Sequence, residues 1–493
     1  MSEADAFDVI IIGGGVNGAG IARDAAGRGA KVLLLEAHDL ASGTSSASTK
    51  LVHGGLRYLE YYEFSLVREA LHEREILWGI APHIIRPMRF VLPWMPHLRP
   101  RWMLRLGLFL YDHIGGRKRL PKAQGIALGE HPAGTALDPA LANGFEYSDG
   151  WVDDARLVVL NAMDAHEKGA DIRTRTPVLS ARREGELWIV ETAEGEFAAR
   201  ALVNAGGPGA DDVARLAGQE PDYGIRRVRG SHIVTRKLFD HDYAYIFQLP
   251  DTRICFAIPY EGEFTLIGTT DRDHAGSLVE VEAGADEVDY LCENASRYFR
   301  KPVTGADVVW TYAGVRALVD DGSGRPEAAT RGYRLPVSDA DEGAPLLGVY
   351  GGKITSYRHL AEEAVDLLAK RVPALSGPAW TADAPLPGGD FPVDGQRELI
   401  HAIKNEYDFL DDRQATRIAR AYGTRAADWL GTARNRKDLG QDFGAGLSEA
   451  ELAYLAGSEW ARSAEDVLWR RSKLGLHMSE TERQSVQDWF DEP

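Results

Sequence analysis

The chain has 493 residues, of which 44% are hydrophobic and 26% are charged, and its formal net charge is −18 at pH 7. This length predicts two or three globular domains. The acidic balance argues against nucleic-acid binding, which needs a basic surface. Cys255 and Cys292 form no CxxC pattern, so the sequence predicts neither a disulfide framework nor a thiolate metal site and fits a reducing compartment.

No segment predicts a membrane-spanning helix, because no run of about 20 apolar residues occurs. Residues 1–8 are acidic and lead directly into an apolar strand, which is not the pattern of a signal peptide. The sequence contains no HExxH motif and no clustered carboxylates, so we expect no metal ion.

A βαβ unit is predicted at the start of the chain. A strand from Phe7 runs into Gly13-x-Gly15-x-x-Gly18, and after a helix a second strand ends at Glu36. The first glycine allows the tight turn, the second lets a pyrophosphate approach, and the third lets helix pack on strand. The helix N-terminus presents unpaired N–H groups to phosphates, and an acid at the second strand's end can bind ribose hydroxyls. The pattern predicts a dinucleotide site.

A run of small hydroxyl residues, 41–50, follows the acid. It is either a flexible loop or a further contact to the diphosphate and ring of the nucleotide. Its position directly after Glu36 favours the second interpretation.

The next segments alternate between helix and strand. Residues 60–82 predict an amphipathic helix, and strands over 186–192 and 195–203 end in a second glycine-rich turn, 204–209. A hairpin is predicted from 253–259 and 264–268, as part of an antiparallel sheet inserted into the nucleotide domain.

The last third of the chain predicts a separate helical region. A buried strand over 345–355 and a helix over 361–371 precede a Pro- and Gly-rich linker, 385–392. Beyond the linker the pattern is helical, with capping-box starts at Ser448, Ser463 and Ser479.

Seven motifs, taken in chain order, resemble the FAD-dependent glycerol-3-phosphate dehydrogenases. They are Thr44–Tyr58, Phe145–Arg156, Gly230–Val234, Ile267–Asp271, Trp310–Arg316, Gly351–Arg358 and Asp466–Leu476. The similarity covers nearly the whole chain, and it is to the bacterial respiratory type rather than to the longer peroxide-forming oxidases.

The resemblance implies an α/β fold with a Rossmann-like FAD-binding domain, an inserted antiparallel-sheet substrate cap and a C-terminal helical domain. The FAD-binding domain is expected within residues 1–384, in three segments of about 1–85, 146–225 and 305–384. The cap is expected at about 86–145 and 226–304. The helical domain is expected at 385–493.

The resemblance also implies oxidation of sn-glycerol 3-phosphate to dihydroxyacetone phosphate, with hydride transfer to N5 of non-covalently bound FAD and electrons passed to a membrane quinone. The expected FAD contacts are Gly13, Gly15, Val16, Asn17, Gly18, Glu36, Ala37, Thr44, Ser45, Ser46, Ser48, Lys50, His53, Gly54, Val178, Ala205, Gly206, Gly352, Lys353, Ile354 and Thr355. Some relatives of this fold attach flavin covalently in the loop that holds His53. Since this family does not, we expect His53 to be structural or to contact the ring.

The implied substrate carries a phosphate dianion, and arginine forks suit phosphate oxygens best. Arg57, Arg316 and Arg331 are the candidates. Each could instead form a surface ion pair. Arg57 and Arg316 are favoured for the site because they lie in glycine-bearing segments that match the family.

His232 is the first candidate for the base that takes the hydroxyl proton, because a base with a pKa near 7 suits this step. The alternative is a core histidine bonded to backbone. Lys353 is expected either near the flavin ring, where a cation stabilises the reduced anion, or on the phosphate. Tyr58 is expected to hydrogen-bond the substrate, or else to be a buried structural tyrosine.

Two other functions remain open at this point. An amine or amino-acid oxidase of the same fold would explain the FAD motifs but not the arginines. A non-catalytic flavin-bound scaffold that docks a partner through its C-terminal helices is the second, and Arg57, His232, Arg316 and Lys353 argue against it.

Residues 86–122 are anomalous in so acidic a chain, because they carry one acid, Asp112, and nine cations. The cations are Arg86, Arg89, Arg99, Arg101, Arg105, Arg117, Lys118, Arg119 and Lys122. Mixed with aromatic and aliphatic residues, they suit the interface of an anionic bilayer. A quinone acceptor resides in lipid, so we expect a cytoplasmic protein bound peripherally to the inner face of the cytoplasmic membrane. The alternative is a core helix whose arginines line the substrate mouth. The oligomeric state is left open, a homodimer included.

Overall fold

The computed structural model describes residues 6–95, 99–116, 119–251, 253–320, 332–338 and 343–492, except the side chains of residues 60 and 61. The strands in these ranges are β1 Val9–Ile12, β2 Val32–Leu35, β3 Leu51–Val52, β4 Ile85–Pro93, β5 Gln124–Ala127, β6 Asn143–Val152, β7 Asp171–Arg173, β8 Val178–Glu184, β9 Leu187–Thr192, β10 Gly195–Ala199, β11 Leu202–Asn204, β12 Ile225–Arg236, β13 Ala244–Gln248, β14 Ile254–Tyr260, β15 Phe264–Gly268, β16 Arg272–Asp273, β17 Val308–Val319, β18 Tyr333–Arg334, β19 Leu346–Gly348 and β20 Tyr350–Gly351. The helices are α1 Val16–Gly27, α2 Phe64–Ile80, α3 Arg101–Ile114, α4 Asp154–Glu167, α5 Ala210–Leu216, α6 Ala285–Ser296, α7 Tyr357–Ala369, α8 Gln396–Glu406, α9 Asp412–Tyr422, α10 Ala426–Leu430, α11 Glu449–Ser458 and α12 Glu480–Asp491.

A five-stranded parallel sheet forms the nucleotide-binding half, in the order β19-β11-β1-β2-β7. Strands β1 and β2 are apolar at every position because both faces of the sheet are covered. Helices α1, α4 and α7 pack on one face. The antiparallel sheet β8–β10 packs on the other. This is the Rossmann-like domain that the sequence predicts.

The larger sheet has the order β16-β12-β15-β14-β13-β4-β6-β3, with β17 beside β12 and β5 beside β6. Neighbouring strands run antiparallel except β13 and β4. The predicted hairpin is confirmed as β14 and β15. The predicted segmentation differs from this topology, because it assigned β17 and most of β6 to the FAD-binding domain. Both strands instead complete long hydrogen-bonded ladders with β12 and β4.

The C-terminal region forms its own hydrophobic core, as the sequence predicts, from α8 to α12 and the segments between them. Ser448 and Ser479 cap α11 and α12. Ser463 accepts a hydrogen bond from the Asp466 N–H at the start of a π-helical segment, Asp466–Arg471.

The basic segment that the sequence singles out divides into two different elements. Residues 85–93 are strand β4, inside the large sheet. Helix α3 follows, and of its residues Leu108 and Tyr111 are buried. Among the described residues, no helix has both the length and the apolar content that crossing a bilayer requires.

Candidate active site

The three glycines of the first motif lie where β1 ends and α1 begins. Gly13 has a φ of +114°, and a Cβ there would meet the Ala205 carbonyl oxygen at 2.5 Å. A Cβ at Gly18 would overlap the Gly13 carbonyl. Backbone therefore approaches backbone at this point, and this tight turn is the one that the strand-to-helix junction of a dinucleotide site requires.

Glu36 follows β2 and lies beside this turn. Its carboxylate accepts hydrogen bonds from the backbone N–H of Gly14 at 2.6 Å and of His38 at 2.8 Å. Burial raises the pKa of Glu36, and these two donors oppose that shift. The neighbouring backbone N–H of Thr176 donates to the Glu36 carbonyl at 2.8 Å, which brings the chain before Val178 to the same corner.

Segments far apart in sequence meet at this end of the sheet, and the polar groups that they bring together fit a dinucleotide such as FAD. The Val16 N–H donates to Ser45 Oγ at 3.0 Å, so the loop of hydroxyl residues, 41–50, lies against the N-terminus of α1. Asn17 Oδ1 is buried and has no hydrogen-bond partner among the described residues, and its Nδ2 lies 3.4 Å from the Gly351 carbonyl. The His53 N–H donates to Thr355 Oγ1 at 3.2 Å.

These contacts bring together the predicted FAD residues of the first glycine motif, the 44–48 loop, the 205–206 turn and the 352–355 turn. The carboxyl ends of parallel strands are where such sheets bind nucleotides. When bound, FAD supplies the hydride acceptor. The Lys50 ammonium contacts the Asp154 carboxylate at 2.7 Å and the Ser46 carbonyl at 3.0 Å, so it anchors the loop, and its contact with FAD stays a prediction.

His232 lies on β12 and is almost fully buried. Its Nε2 is 2.9 Å from Thr49 Oγ1. Its ring stacks on Tyr312 with a centroid distance of 4.7 Å. Burial lowers the pKa of His232 well below its ordinary value, and the charges of Arg316 and Lys50 lower it further. The direction of this shift departs from the expected pKa near 7: the imidazole is neutral at pH 7, the form that a proton acceptor needs, but it is a weaker base than expected.

Arg316 lies on β17, four residues from the partner of His232 in the β12–β17 register, so both project from the same face of the sheet. Its guanidinium donates to Thr269 Oγ1 at 2.9 Å, to the Thr270 carbonyl at 3.2 Å and to the Asp271 carboxylate. A Cβ at Gly230 would overlap this guanidinium. Glycine at that position is what lets the cation lie across the strand toward His232.

The remaining predicted groups come from two turns. Arg57 and Tyr58 lie in a 3-10 turn, Leu56–Tyr61, which the chain enters through Gly55 with a φ of +73°. The Lys353 ammonium lies 3.8 Å from the centroid of the Tyr58 ring. Tyr58 and Lys353 are therefore neighbours in the fold. Arg331 lies outside the described residues.

Four residues that the sequence analysis did not select contact the site: Thr49, Asp154, Asp271 and Tyr312. Tyr312 could have been predicted from strand alternation, because Tyr312 and Arg316 lie four residues apart and therefore on the same face of a strand. Thr49 belongs to the same hydroxyl run as Ser48. Asp154 and Asp271 lie within two of the motifs that resemble the family, but their contacts follow from tertiary packing, which those motifs alone do not predict.

Two families match the chain by sequence. Residues 8–358 match the FAD dependent oxidoreductase family. Residues 379–491 match the C-terminal domain of alpha-glycerophosphate oxidase. The boundary between the matches falls just before the Pro- and Gly-rich linker.

Individual relatives agree with these matches. A Brucella abortus protein named D-erythritol 1-phosphate dehydrogenase is 51% identical over 500 residues, covering 100% of this chain and 99% of its own. The Escherichia coli aerobic glycerol-3-phosphate dehydrogenase is 49% identical over 496 residues, covering 98% and 97%. The structure of a glycerol-3-phosphate dehydrogenase from Bacillus halodurans complexed with FAD has a TM-score of 0.75 and 25% identity, and the match covers 100% of this chain and 95% of that one. The glycine-rich turn between β1 and α1 and the sheet face that carries His232 and Arg316 agree with these matches. The matches establish that the chain belongs to the FAD-dependent glycerol-3-phosphate dehydrogenase family.

Proposed function

We propose that the protein oxidises sn-glycerol 3-phosphate to dihydroxyacetone phosphate and passes the electrons to a membrane quinone. The observation that carries the proposal is the shared sheet face of a neutral imidazole, His232, and a guanidinium, Arg316. A secondary alcohol that carries a phosphate dianion needs both: a base for the hydroxyl proton and cations for the phosphate.

Each residue of the candidate site has a role that follows from its chemistry. Arg316 and Arg57 bind the phosphate, with Arg331 as a third candidate for that role. His232 accepts the proton of the C2 hydroxyl. Lys353 lies on the Tyr58 ring, beside the turn that follows β20, and its charge favours the reduced anionic flavin. Tyr58 contributes a hydroxyl to substrate binding.

A second candidate substrate is D-erythritol 1-phosphate, because the Brucella abortus relative of that name matches the whole chain at 51% identity. The same base and cations would serve it. A dye-linked assay with glycerol 3-phosphate, D-erythritol 1-phosphate, glycerol and glycine ranks the candidates by kcat/KM. Our proposal requires glycerol 3-phosphate to rank first. If the four-carbon ester ranks first, the second candidate replaces it, and if glycine does, the protein is an amino-acid oxidase.

The FAD should be held without a covalent bond. The His53 backbone is hydrogen-bonded to Thr355, and its ring packs with its edge toward Phe256 at a centroid distance of 6.5 Å. Acid precipitation of the purified holoprotein should therefore release about one FAD per chain into the supernatant. Yellow colour retained in the pellet, and absent from a His53→Ala pellet, would show a covalent link instead.

We also propose that α3 binds the membrane surface. Trp102, Leu106 and Phe109 follow one face of this helix, and they expose 66%, 50% and 57% of their surface. Arg101 and Arg105 are exposed beside them. The opposite face carries the buried Leu108 and Tyr111. An amphipathic helix with apolar residues and flanking cations suits the interface of an anionic bilayer, where the quinone resides.

The membrane proposal predicts co-sedimentation with phosphatidylglycerol vesicles at low salt, and less at high salt. The variant Arg101→Glu/Arg105→Glu should bind at least about tenfold more weakly, because each surface cation contributes about 1 kcal/mol. Its dye-linked activity should stay intact. Leu179→Ser is a matched control, since Leu179 is 51% exposed on β8. Wild-type protein that stays in the supernatant would contradict the proposal.

A further inference from the structure

We propose that Thr49 is a positioning residue that holds His232 in the tautomer whose Nδ1 accepts the substrate proton. The inference deepens the proposed function and rests on it for the identity of the substrate. Thr49 lies between two predicted FAD contacts, Ser48 and Lys50, and its hydroxyl is turned to the histidine.

The two ring nitrogens of His232 have different surroundings. Nε2 lies 2.9 Å from Thr49 Oγ1. Nδ1 is buried and has no hydrogen-bond partner among the described residues. The hydrogen bond at one ring nitrogen decides which nitrogen carries the proton. With Nε2–H donating to Thr49, the lone pair remains on Nδ1, which is then the ring nitrogen able to accept a proton.

The loop that carries Thr49 is fixed on both sides of it. Ser48 Oγ and Lys50 Nζ each lie 2.7 Å from the carboxylate of Asp154, which is fully buried at the start of α4. Lys50 has a φ of +60°, a conformation that a non-glycine residue keeps only when its surroundings hold it. The Asp154 contacts supply that constraint, so the Thr49 hydroxyl has one defined position.

Tyr312 fixes the imidazole plane relative to the same loop. Its ring stacks on His232 with an interplanar angle of 15°, and its hydroxyl donates to the Ser48 carbonyl at 2.8 Å. Loop and imidazole are thus tied together through both Thr49 and Tyr312. A flip of the ring about its Cβ–Cγ bond would place Cε1 where Nε2 lies and so break the Thr49 bond.

The proton transfer balances in this arrangement. The C2 hydroxyl O–H bond breaks and an Nδ1–H bond forms, while the O–H electron pair becomes the second bond of the ketone as the C2 hydride leaves to the oxidised cofactor. The imidazolium so formed keeps donating Nε2–H to Thr49. Since Arg316 and Lys50 disfavour that positive charge, the Nδ1 proton goes to water that replaces the ketone product, and the neutral base is restored.

The test uses three holoenzyme variants: Thr49→Val removes the hydroxyl at constant shape, Thr49→Ser restores it, and Thr235→Val is the matched control. Thr235 is fully buried on the same strand as His232, and its hydroxyl bonds the Arg236 carbonyl at 3.0 Å. In anaerobic mixing with glycerol 3-phosphate, Thr49→Val should lower the limiting rate of flavin reduction roughly tenfold or more. Substrate Kd should change less than twofold. Thr49→Ser and Thr235→Val should stay within twofold of wild type.

A second measurement needs no substrate. In holoenzyme with ¹⁵N-labelled histidine, the ring signals that disappear in His232→Gln belong to this residue. We expect a protonated Nε2 and an unprotonated Nδ1 in the wild type, and a mixture of tautomers in Thr49→Val. A protonated Nδ1 in the wild type, or a wild-type reduction rate in Thr49→Val, would overturn the inference. If glycerol 3-phosphate does not reduce the wild-type flavin, the proposed function fails. The ¹⁵N measurement of the His232 tautomer would still test the role of Thr49 in that case.

Discussion

Replacing His232 with Gln should slow flavin reduction by glycerol 3-phosphate about 10²- to 10⁴-fold, the usual contribution of a positioned base. Glutamine keeps the bulk of the side chain but cannot accept the proton. Substrate Kd and FAD content should change little. His241→Gln is the matched control, because His241 is a partly buried histidine that contacts Tyr245 rather than the site.

The pH dependence gives a second check on His232. Because its pKa is lowered by burial and then by Arg316 and Lys50, the neutral base is present at pH 7. Its contribution is lost as pH falls through that lowered pKa, so kcat/KM should be flat near neutrality and decline on the acid side. The acid decline should vanish in His232→Gln. A variant that keeps both the wild-type rate and the acid decline would remove His232 from this role.

Arg316→Ala should lower kcat/KM for glycerol 3-phosphate by about 10- to 100-fold or more, because hydrogen bonds to charged groups contribute about 1.5–3 kcal/mol each. The loss should be specific to phosphorylated substrates, so any rate measured with glycerol should change much less. FAD content should stay normal, since the Arg316 guanidinium donates to Thr269, Thr270 and Asp271, none of which is a predicted FAD contact.

Arg226→Ala provides the control for Arg316→Ala. Arg226 is on β12 and pairs with the exposed carboxylate of Asp273 at 2.7 Å. Its removal deletes an arginine from the same sheet without changing the candidate site. Equal losses of kcat/KM in the two variants would mean that general charge, not a phosphate fork at Arg316, is responsible.

Local sequence patterns predict most of the fold because each pattern has a local physical cause. The Gly13–Glu36 unit follows from steric needs at a tight turn, and the hairpin of β14 and β15 follows from strand alternation. The membership of β6 and β17 in the large sheet was not predictable in this way. It depends on long-range pairing with β4 and β12, which no local pattern encodes.

The residues of the candidate site also fall into those that local motifs indicate and those that only the fold reveals. The glycines, Glu36 and His232 occur in recognisable motifs, so the sequence indicates them. The ion pair of Lys50 with Asp154 joins residues 104 positions apart, and that of Arg316 with Asp271 joins residues 45 apart. Such partners become visible only when the fold brings them together. The role of Lys50 as an anchor of its loop, for example, is seen only in its contact with Asp154.

Anaerobic mixing of the holoenzyme with sn-glycerol 3-phosphate tests the central claim most directly. The account predicts that the absorbance of the oxidised flavin is lost, that one equivalent of dihydroxyacetone phosphate forms per FAD, and that glycine at the same concentration leaves the spectrum unchanged. A flavin that stays oxidised with glycerol 3-phosphate, or that is reduced faster by glycine, would contradict it.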